Sequence, residues 1–547
     1  MTALTKSGSI FKGALILGSA MFLSKLIGFL YRIPMTAILG DTGIAIYGVS
    51  FNIYVFLLGL SAIGIPGAIS RLVSECLAKN SVTDARRVFN VALCYTGGLS
   101  AFLSLFLFFG AEFIAVDLNR QPELVLPLKM LSPTIFIASL MAIVRGYFQG
   151  MNTMFPTALS QVVEQIFNAL FSVVLASYFI QHGYGVAVAA AGSTMGTGIG
   201  AISGFLVLIL LYRKVHKTPL IDTLDTDSSP VPSLFTNRRE IIKRLLSTLI
   251  PMVIITSVFS IFSVIDSSML SHFLPNAIDT LRQTDALWRI PVTDATTLST
   301  DVLVQSLLGQ YTNKYSTLIN IPISLILIVS TSAIPSIAKS YTLGNTDELY
   351  QKIYKILRIG FLLSIPAATG LMIFAKPIMA LMFPTFPDGG ELVMHGALTI
   401  IFITSAQLCS SILQGMGKQT VPAFFAGIAL LAKVLMNVLL LTIPTLHIYA
   451  VIYSTLFAYI LFAGLNIYYL KRRAQLAIPL KKLVVKPLIA SALMGIIGLF
   501  TYQCLLTYLP LPNSVLIFTV TICVIAYALI GLCIGMITRE DYKFFLA

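Results

Sequence analysis

Charged and amide side chains set inside long apolar runs are the residues of this sequence that could do chemistry. Lys25, Gly28 and Arg32 stand at i, i+3 and i+7, which puts two cations and a point of close approach on one helical face. Gln161, Glu164, Gln165 and Asn168 fall at i, i+3, i+4 and i+7, a polar stripe on an otherwise apolar helix. Lys433 and Asn437 make a shorter stripe nearer the C-terminus, and Asp266 is a lone carboxylate in another run. A charge in hydrocarbon costs about 2.5–3.5 kcal/mol on insertion scales, so such groups should face a bundle interior or a wet cavity. The chemistry open to them is recognition. Ammonium and guanidinium groups hold anionic oxygens by charge and hydrogen bonds, while Glu164 and Asp266 could balance charge or hold a coupling ion. Blander uses compete: Lys25 and Arg32 could snorkel to headgroups, and the amides could bond helices together. Lys129 reads as a snorkelling residue, and Arg145 as a cation of the inner rim.

No catalytic constellation accompanies them. The six cysteines form no Cys-x-x-Cys pair and read as small buried hydrophobes; the five histidines show no metal spacing. A Walker A loop is absent from the sequence, which argues against ATP hydrolysis by this chain. We therefore expect no enzyme, no metal and no cofactor, with a dependence on membrane potential or a coupling cation left open.

The elements that must position these residues follow from composition. Of the 547 residues, 57% are hydrophobic and only 11% charged, and the mean hydropathy is +0.90. Soluble domains carry about a quarter charged residues, so a soluble enzyme, a disulfide scaffold and a disordered chain are excluded. The pattern predicts an all-α polytopic membrane protein of fourteen spans, near 8–33, 43–66, 88–112, 124–148, 157–181, 184–212, 245–270, 311–337, 356–380, 391–414, 421–443, 447–470, 487–508 and 512–537. The first is read as an uncleaved span. Three connections are longer, 67–87, 213–244 and 271–310; the last is an external loop holding the only Trp, Trp288. With the N-terminus inside, 27 Lys and Arg fall on the cytoplasmic side and six outside, so both termini are expected in the cytoplasm. That bias also explains the net charge of +14 without nucleic acid.

Two motifs recur at long range. Ala62-Ile63-Gly64-Ile65-Pro66 with Ser70-Arg71 is echoed by Ser332-Ala333-Ile334-Pro335 with Ser336 and Lys339. Gln149-Gly150-Met151 with Pro156 is echoed by Gln414-Gly415-Met416 with Pro422. The offsets are 269 and 265 residues. Two six-helix halves entering from the same side are expected, parallel repeats with a substrate site between lobes. The domain reading is 1–213 for the first lobe (spans 1–6), 214–244 for a cytoplasmic linker rich in Asp222, Asp225 and Asp227, 245–470 for the second lobe (spans 7–12), and 471–547 for two extra spans and the C-terminus. By the 265 offset, Lys433 is the repeat counterpart of Asn168.

The run Ser24-Lys25-Leu26-Ile27-Gly28-Phe29, the segment Gly64 to Glu75, and Phe148-Gln149-Gly150 followed by Pro156-Thr157-Ala158 and Ser160 to Gln165 together resemble one group. The chain is similar throughout to the MurJ-type lipid II flippases and the related stage V sporulation protein B group, within the multidrug/oligosaccharidyl-lipid/polysaccharide exporter superfamily. The resemblance implies a transporter in the bacterial cell membrane that moves an undecaprenyl-diphosphate-linked cell-wall precursor, most closely lipid II, to the outer leaflet by alternating access. It implies basic residues of the first helix lining a central cavity, with Lys25 matching the first and Arg32 one place beyond the second. Cell-wall synthesis or division proteins are the expected protein partners. The chain departs from the family's Gram-negative pattern of further cations: Phe51-Asn52-Ile53-Tyr54 stands where one falls in helix two, and Lys314 precedes Pro322 by eight residues, one turn early. The alternatives are export of another polysaccharide-linked lipid, a cation-coupled multidrug exporter, and a non-transporting division or sporulation scaffold.

Overall fold

The computed structural model describes residues 2–79, 81–216, 235, 237–472, 479–509 and 511–536. Asp222, Asp225 and Asp227 of the expected linker and the C-terminal residues 537–547 lie outside them. The described chain is all-α. The helices are α1 Thr2–Leu30, α2 Arg32–Leu58, α3 Ile65–Ala78, α4 Val82–Glu112, α5 Val125–Gly150, α6 Phe155–Gln181, α7 Val186–His216, α8 Arg238–Gln283, α9 Thr300–Gly309, α10 Ser316–Thr342, α11 Thr346–Met382, α12 Gly390–Gly396, α13 Thr399–Gly415, α14 Thr420–Leu441, α15 Tyr449–Arg472, α16 Leu480–Tyr508 and α17 Pro512–Cys533.

Local chemistry sets many of the boundaries. Ser81, Ser299 and Asn345 cap α4, α9 and α11 by accepting from backbone N–H groups three residues on. Pro66, Pro156, Pro422 and Pro512 sit in the first turns of α3, α6, α14 and α17, where a missing N–H is harmless. Gly40, at φ 66°, breaks α2 internally. Tyr31 between α1 and α2 keeps helical angles (φ −69°, ψ −18°), so the spacing of Lys25, Gly28 and Arg32 on one face survives the junction.

Every expected span lies on a helix, yet ten helices among the described residues are long and apolar enough to cross a membrane. The number is eleven if α12 and α13, bent by 50°, form one broken span. The count of fourteen is thus not reached, since α1 contributes only a shorter apolar stretch, Ile16–Leu30, and several side chains of α8 and α10 are not described.

Two of the expected loops are largely helical. The 67–87 connection is α3 for most of its length, with Ile69, Leu72, Val73 and Cys76 buried. In the 271–310 segment α8 continues to Gln283 and α9 begins at Thr300. Trp288, 74% exposed, lies between them under the Arg289 guanidinium, 5.0 Å from the ring centre. The apolar patterning that marks spans cannot see such amphipathic extensions, because half of each faces water. The cysteine reading also needs correction: Cys76, Cys409 and Cys523 are buried, but Cys94, Cys504 and Cys533 are exposed.

The chain divides into two compact units, residues 1–272 and 273–547. In unit 1 one core joins Ile69 and Val73 of α3, Ala142 and Ile143 of α5, and Ile241 and Leu245 of α8. In unit 2 another joins Ile337 of α10, Ile353 and Leu357 of α11, and Leu408, Ile412 and Leu413 of α13. A Cβ on Gly150 would lie 2.6 Å from Val73 Cβ, and one on Gly415 2.9 Å from Ile337 Cβ. Each glycine therefore lets a helix end press on an earlier helix, α5 on α3 and α13 on α10. The spacing of Val73 to Ile337, 264 residues, follows the Gln-Gly-Met offset and not that of the prolines.

Candidate functional site

The polar stripe of α6 is held against α7 by a glycine ladder. Gly192, Gly196, Gly200 and Gly204 recur every fourth residue along α7. A Cβ on Gly196 would fall 2.3 Å from the Ser172 nitrogen, and one on Gly200 2.6 Å from the Glu164 carbonyl oxygen. Only hydrogen fits there, so the two backbones lie in contact, the packing that small residues permit between membrane helices.

This contact splits the stripe by function. Asn168 is 5% exposed, and its Oδ1 accepts from Ser172 Oγ at 3.0 Å and from Thr197 Oγ1 of α7 at 3.2 Å. It bonds helices together. Glu164 accepts from an Arg145 terminal nitrogen at 2.8 Å, and Arg145 Nε donates to Ser160 Oγ at 2.9 Å. α5 thus supplies the counter-ion of Glu164, with side-chain exposures of 12% for Arg145 and 23% for Glu164. Gln161 is half-buried, its Oε1 without a hydrogen-bond partner among the described residues. Gln165 Oε1 stands 3.5 Å from where a Cβ on Gly28 would be, so α1 lays its glycine face on this edge of α6.

Lys25 shares the Gly28 face. It is exposed, and no hydrogen bond or ion pair reaches it among the described residues. Arg32 is half-buried and engaged. Beside it Tyr31 and Tyr47 share a buried hydroxyl–hydroxyl bond of 2.9 Å, and Tyr47 stacks on Phe51 at 5.6 Å. Thus in unit 1 the Lys25–Gly28 face of α1 meets Gln165 of α6, with Arg32 opening α2 and Glu164, paired to Arg145 of α5, beside Gln165 in sequence.

The other candidates are elsewhere. Lys433 and Asn437 are both fully buried. Lys433 Nζ donates to Thr455 Oγ1, and Asn437 Oδ1 accepts from Ser454 Oγ, both across from α14 to α15. Asp266 is buried in α8 and is not without a partner. Among the described residues no cluster of three His, Cys, Asp or Glu could hold a metal ion.

Two cations mean more than the sequence reading allowed. Arg145 looked like an ordinary inner-rim cation, yet α5 and α6 are joined by four residues, 151–154, and opposite charges flanking so short a turn are natural partners. Lys314, in a π-helical turn and fully buried, donates to the carbonyls of Phe386 at 2.7 Å and Asp388 at 3.1 Å. Asp388 in turn accepts from the Thr293 backbone and hydroxyl at 2.8 and 2.7 Å. Nothing in the sequence pattern signals that clamp.

A family model described as polysaccharide biosynthesis protein matches residues 10–341. The chain belongs to that family. A second model, for the lipid II flippase MurJ, matches residues 308–519 of this polysaccharide biosynthesis family member. Over 506 residues, 90% of this chain and 88% of the relative, the protein is 26% identical to the lipid II flippase MurJ of Bacillus subtilis. Over 203 residues, 37% of the chain and 39% of the relative, it is 32% identical to stage V sporulation protein B of the same organism. Among solved structures, the inward closed conformation of lipid II flippase MurJ superposes with a TM-score of 0.66, 97% of this chain and 100% of that one covered, at 16% identity. An inward-facing multidrug resistance MATE transporter of the MOP superfamily follows at 0.62, covering 84% and 98%, also at 16% identity. These structural likenesses establish the fold. The resemblance read from the Ser24–Phe29, Gly64–Glu75 and Phe148–Gln165 segments is thereby matched, and the protein is a multi-pass membrane protein of this family.

Proposed function

We propose that the protein is a lipid flippase that moves an undecaprenyl-diphosphate-linked cell-wall precursor, lipid II first among them, from the inner to the outer leaflet by alternating access. The observation that carries this reading is the α1–α6 surface of unit 1, where Lys25 has no described partner to neutralise it and amide groups stand alongside. An exposed ammonium suits a diphosphate by charge, and the amides suit sugar hydroxyls. The similarity to MurJ over 90% of the chain supports the lipid's identity. A cation-coupled drug exporter is less favoured, because such an exporter wants an available carboxylate and Glu164 is committed to Arg145. We assign charge balance or a coupling ion to Asp266, the remaining buried carboxylate of the set.

Depletion in a bacterium that relies on this protein tests the proposal, with outer-leaflet lipid II labelled enzymatically. Outer-leaflet lipid should fall and return on complementation. An unchanged leaflet distribution would sink the flippase reading.

A further inference from the structure

We propose that the connection 284–299 of unit 2 is a pH-sensitive latch, seated at neutral pH over a buried imidazole, His447, and released when that ring takes up a proton in acid. The Lys and Arg count puts this connection on the outer face, where the pH is that of the surroundings.

The connection is fastened rather than draped. Leu287, Ile290 and Ala295 are buried, while Trp288 and Arg289 are exposed. The Thr293 backbone N–H and hydroxyl both donate to the Asp388 carboxylate, at 2.8 and 2.7 Å. A second fastener can titrate: the Arg289 backbone hydrogen-bonds the His447 ring.

His447 lies in the turn between α14 and α15, outside both spans. It is 1% exposed, and its Nδ1 has no hydrogen-bond partner among the described residues. Its φ of 31° is one that non-glycine residues adopt at a cost. A strained turn thus holds the ring against the connection. The first repeat shows the same pair uncovered. By the 265-residue offset His447 and Tyr449 correspond to His182 and Tyr184, and both of these are exposed in the α6–α7 turn.

A proton on the buried ring would lack compensation. The charged and titratable groups around it are Arg289 of the connection, Glu391 of α12 and Tyr449 of α15, whose ring centre is 4.8 Å away. Arg289 repels an imidazolium. Glu391 attracts one, but its two oxygens already accept from Lys376 of α11 at 2.9 Å and from Tyr449 at 2.8 Å. His395 of α12, bonded to Tyr453 at 3.0 Å, lies one contact further out, 4.7 Å from the Tyr449 ring. Burial therefore dominates and pushes the His447 ring down from 6.5 to about 4.

A released His447 regains its ordinary affinity, so the released form binds more protons than the seated one. The seated form keeps its full advantage above about pH 6.5 and loses it as pH falls from there toward 4. Between pH 7.5 and 5.0 the opening equilibrium should rise about 25-fold.

Hydrogen exchange of the full-length protein in detergent reads that equilibrium, in peptides covering residues 286–297 and corrected for the intrinsic pH dependence of amide exchange. Exchange there should quicken about 25-fold at pH 5.0. His447→Gln, which takes no proton in this range, should exchange equally at both pH values, and His447→Phe serves if the glutamine variant does not fold. His395→Gln should keep the full response. Fluorescence anisotropy of Trp288, the chain's only Trp, should fall over the same range as the connection is freed. Exchange that ignores pH in the natural sequence would overturn the proposal, as would a response that survives His447→Gln or vanishes in His395→Gln. A rise shared by peptides throughout unit 2 would be acid unfolding and would overturn it too. None of these outcomes bears on the flippase reading, which rests on unit 1.

Discussion

The α6–α7 pair of unit 1 and the α14–α15 pair of unit 2 hold the same place in the two repeats, following the same Gln-Gly-Met turn, but are joined by different means. In α6–α7 four glycines bring the backbones together, and Asn168 bonds across to Thr197. In α14–α15 the ladder is missing: Phe457, Leu461 and Leu465 occupy the positions 265 residues on from Gly192, Gly196 and Gly200. Gly464 has nothing within 4 Å of a notional Cβ. There the helices are linked by Lys433 to Thr455 and Asn437 to Ser454. The second difference concerns charge. Arg145 and Glu164 correspond to Ser410 and Ala429, so the ion pair belongs to the first repeat alone. Without a close backbone approach, a long buried side chain has room to reach across. With one, the stripe is pressed to the edge and needs a counter-ion from α5.

The largest effect should come from breaking the ladder. Gly196→Leu forces atoms into the Ser172 backbone, which cannot give, and should prevent recovery of folded, monodisperse protein in detergent. Gly464→Leu should leave yield and thermal unfolding unchanged. Equal tolerance at both positions would erase the distinction between the helix pairs.

Next in size is the ion pair. Arg145→Ala should destabilise by about 2–3 kcal/mol, because it strands a largely buried carboxylate, and Glu164→Gln added to it should restore about half or more of that loss. Additive losses in a denaturation series would mean that the contact carries no coupling. The same series decides between roles for Glu164, since a coupling-ion role predicts that Glu164→Gln alone abolishes lipid translocation while the fold persists.

The bonds of α14–α15 should matter less. Asn437→Ala removes the cross-helix acceptor of the buried Ser454 hydroxyl, which keeps only the Val451 carbonyl of its own helix at 3.0 Å, and should cost about 1 kcal/mol. Lys433→Met, which keeps the volume and removes a buried charge, should change stability by less than about 1.5 kcal/mol. If Lys433→Met leaves stability intact but stops translocation in a complementation assay, Lys433 is a transport cation as well as a helix link.

The smallest effect on stability belongs to Lys25. Lys25→Ala removes an exposed side chain and should shift stability by no more than about 0.5 kcal/mol, while impairing complementation at matched protein levels. Lys25→Arg should retain more activity than Lys25→Gln. Full complementation by Lys25→Ala would return Lys25 to a snorkelling anchor.

Composition and periodicity were enough for the fold class. An 18-residue apolar stretch has few alternatives to a membrane helix, and the Gln149 and Gln414 motifs betrayed the repeat. Helical spacing likewise grouped Lys25 with Gly28 and Arg32, and Gln161 with Glu164, Gln165 and Asn168, because residues on one face of one helix are set by its geometry alone. Which face meets which neighbour is another matter. That Asn168 turns to Thr197, Glu164 to Arg145 and Gln165 to Gly28 depends on how closely α7, α5 and α1 can approach α6. Approach is settled by side-chain volume on the partner helices, most of all the four glycines of α7, and that information sits 24 to 43 residues away from the stripe it sorts. A pattern read along one helix carries no term for its neighbours, so the division of one polar stripe into a link, an ion pair and an open edge was decided by tertiary packing.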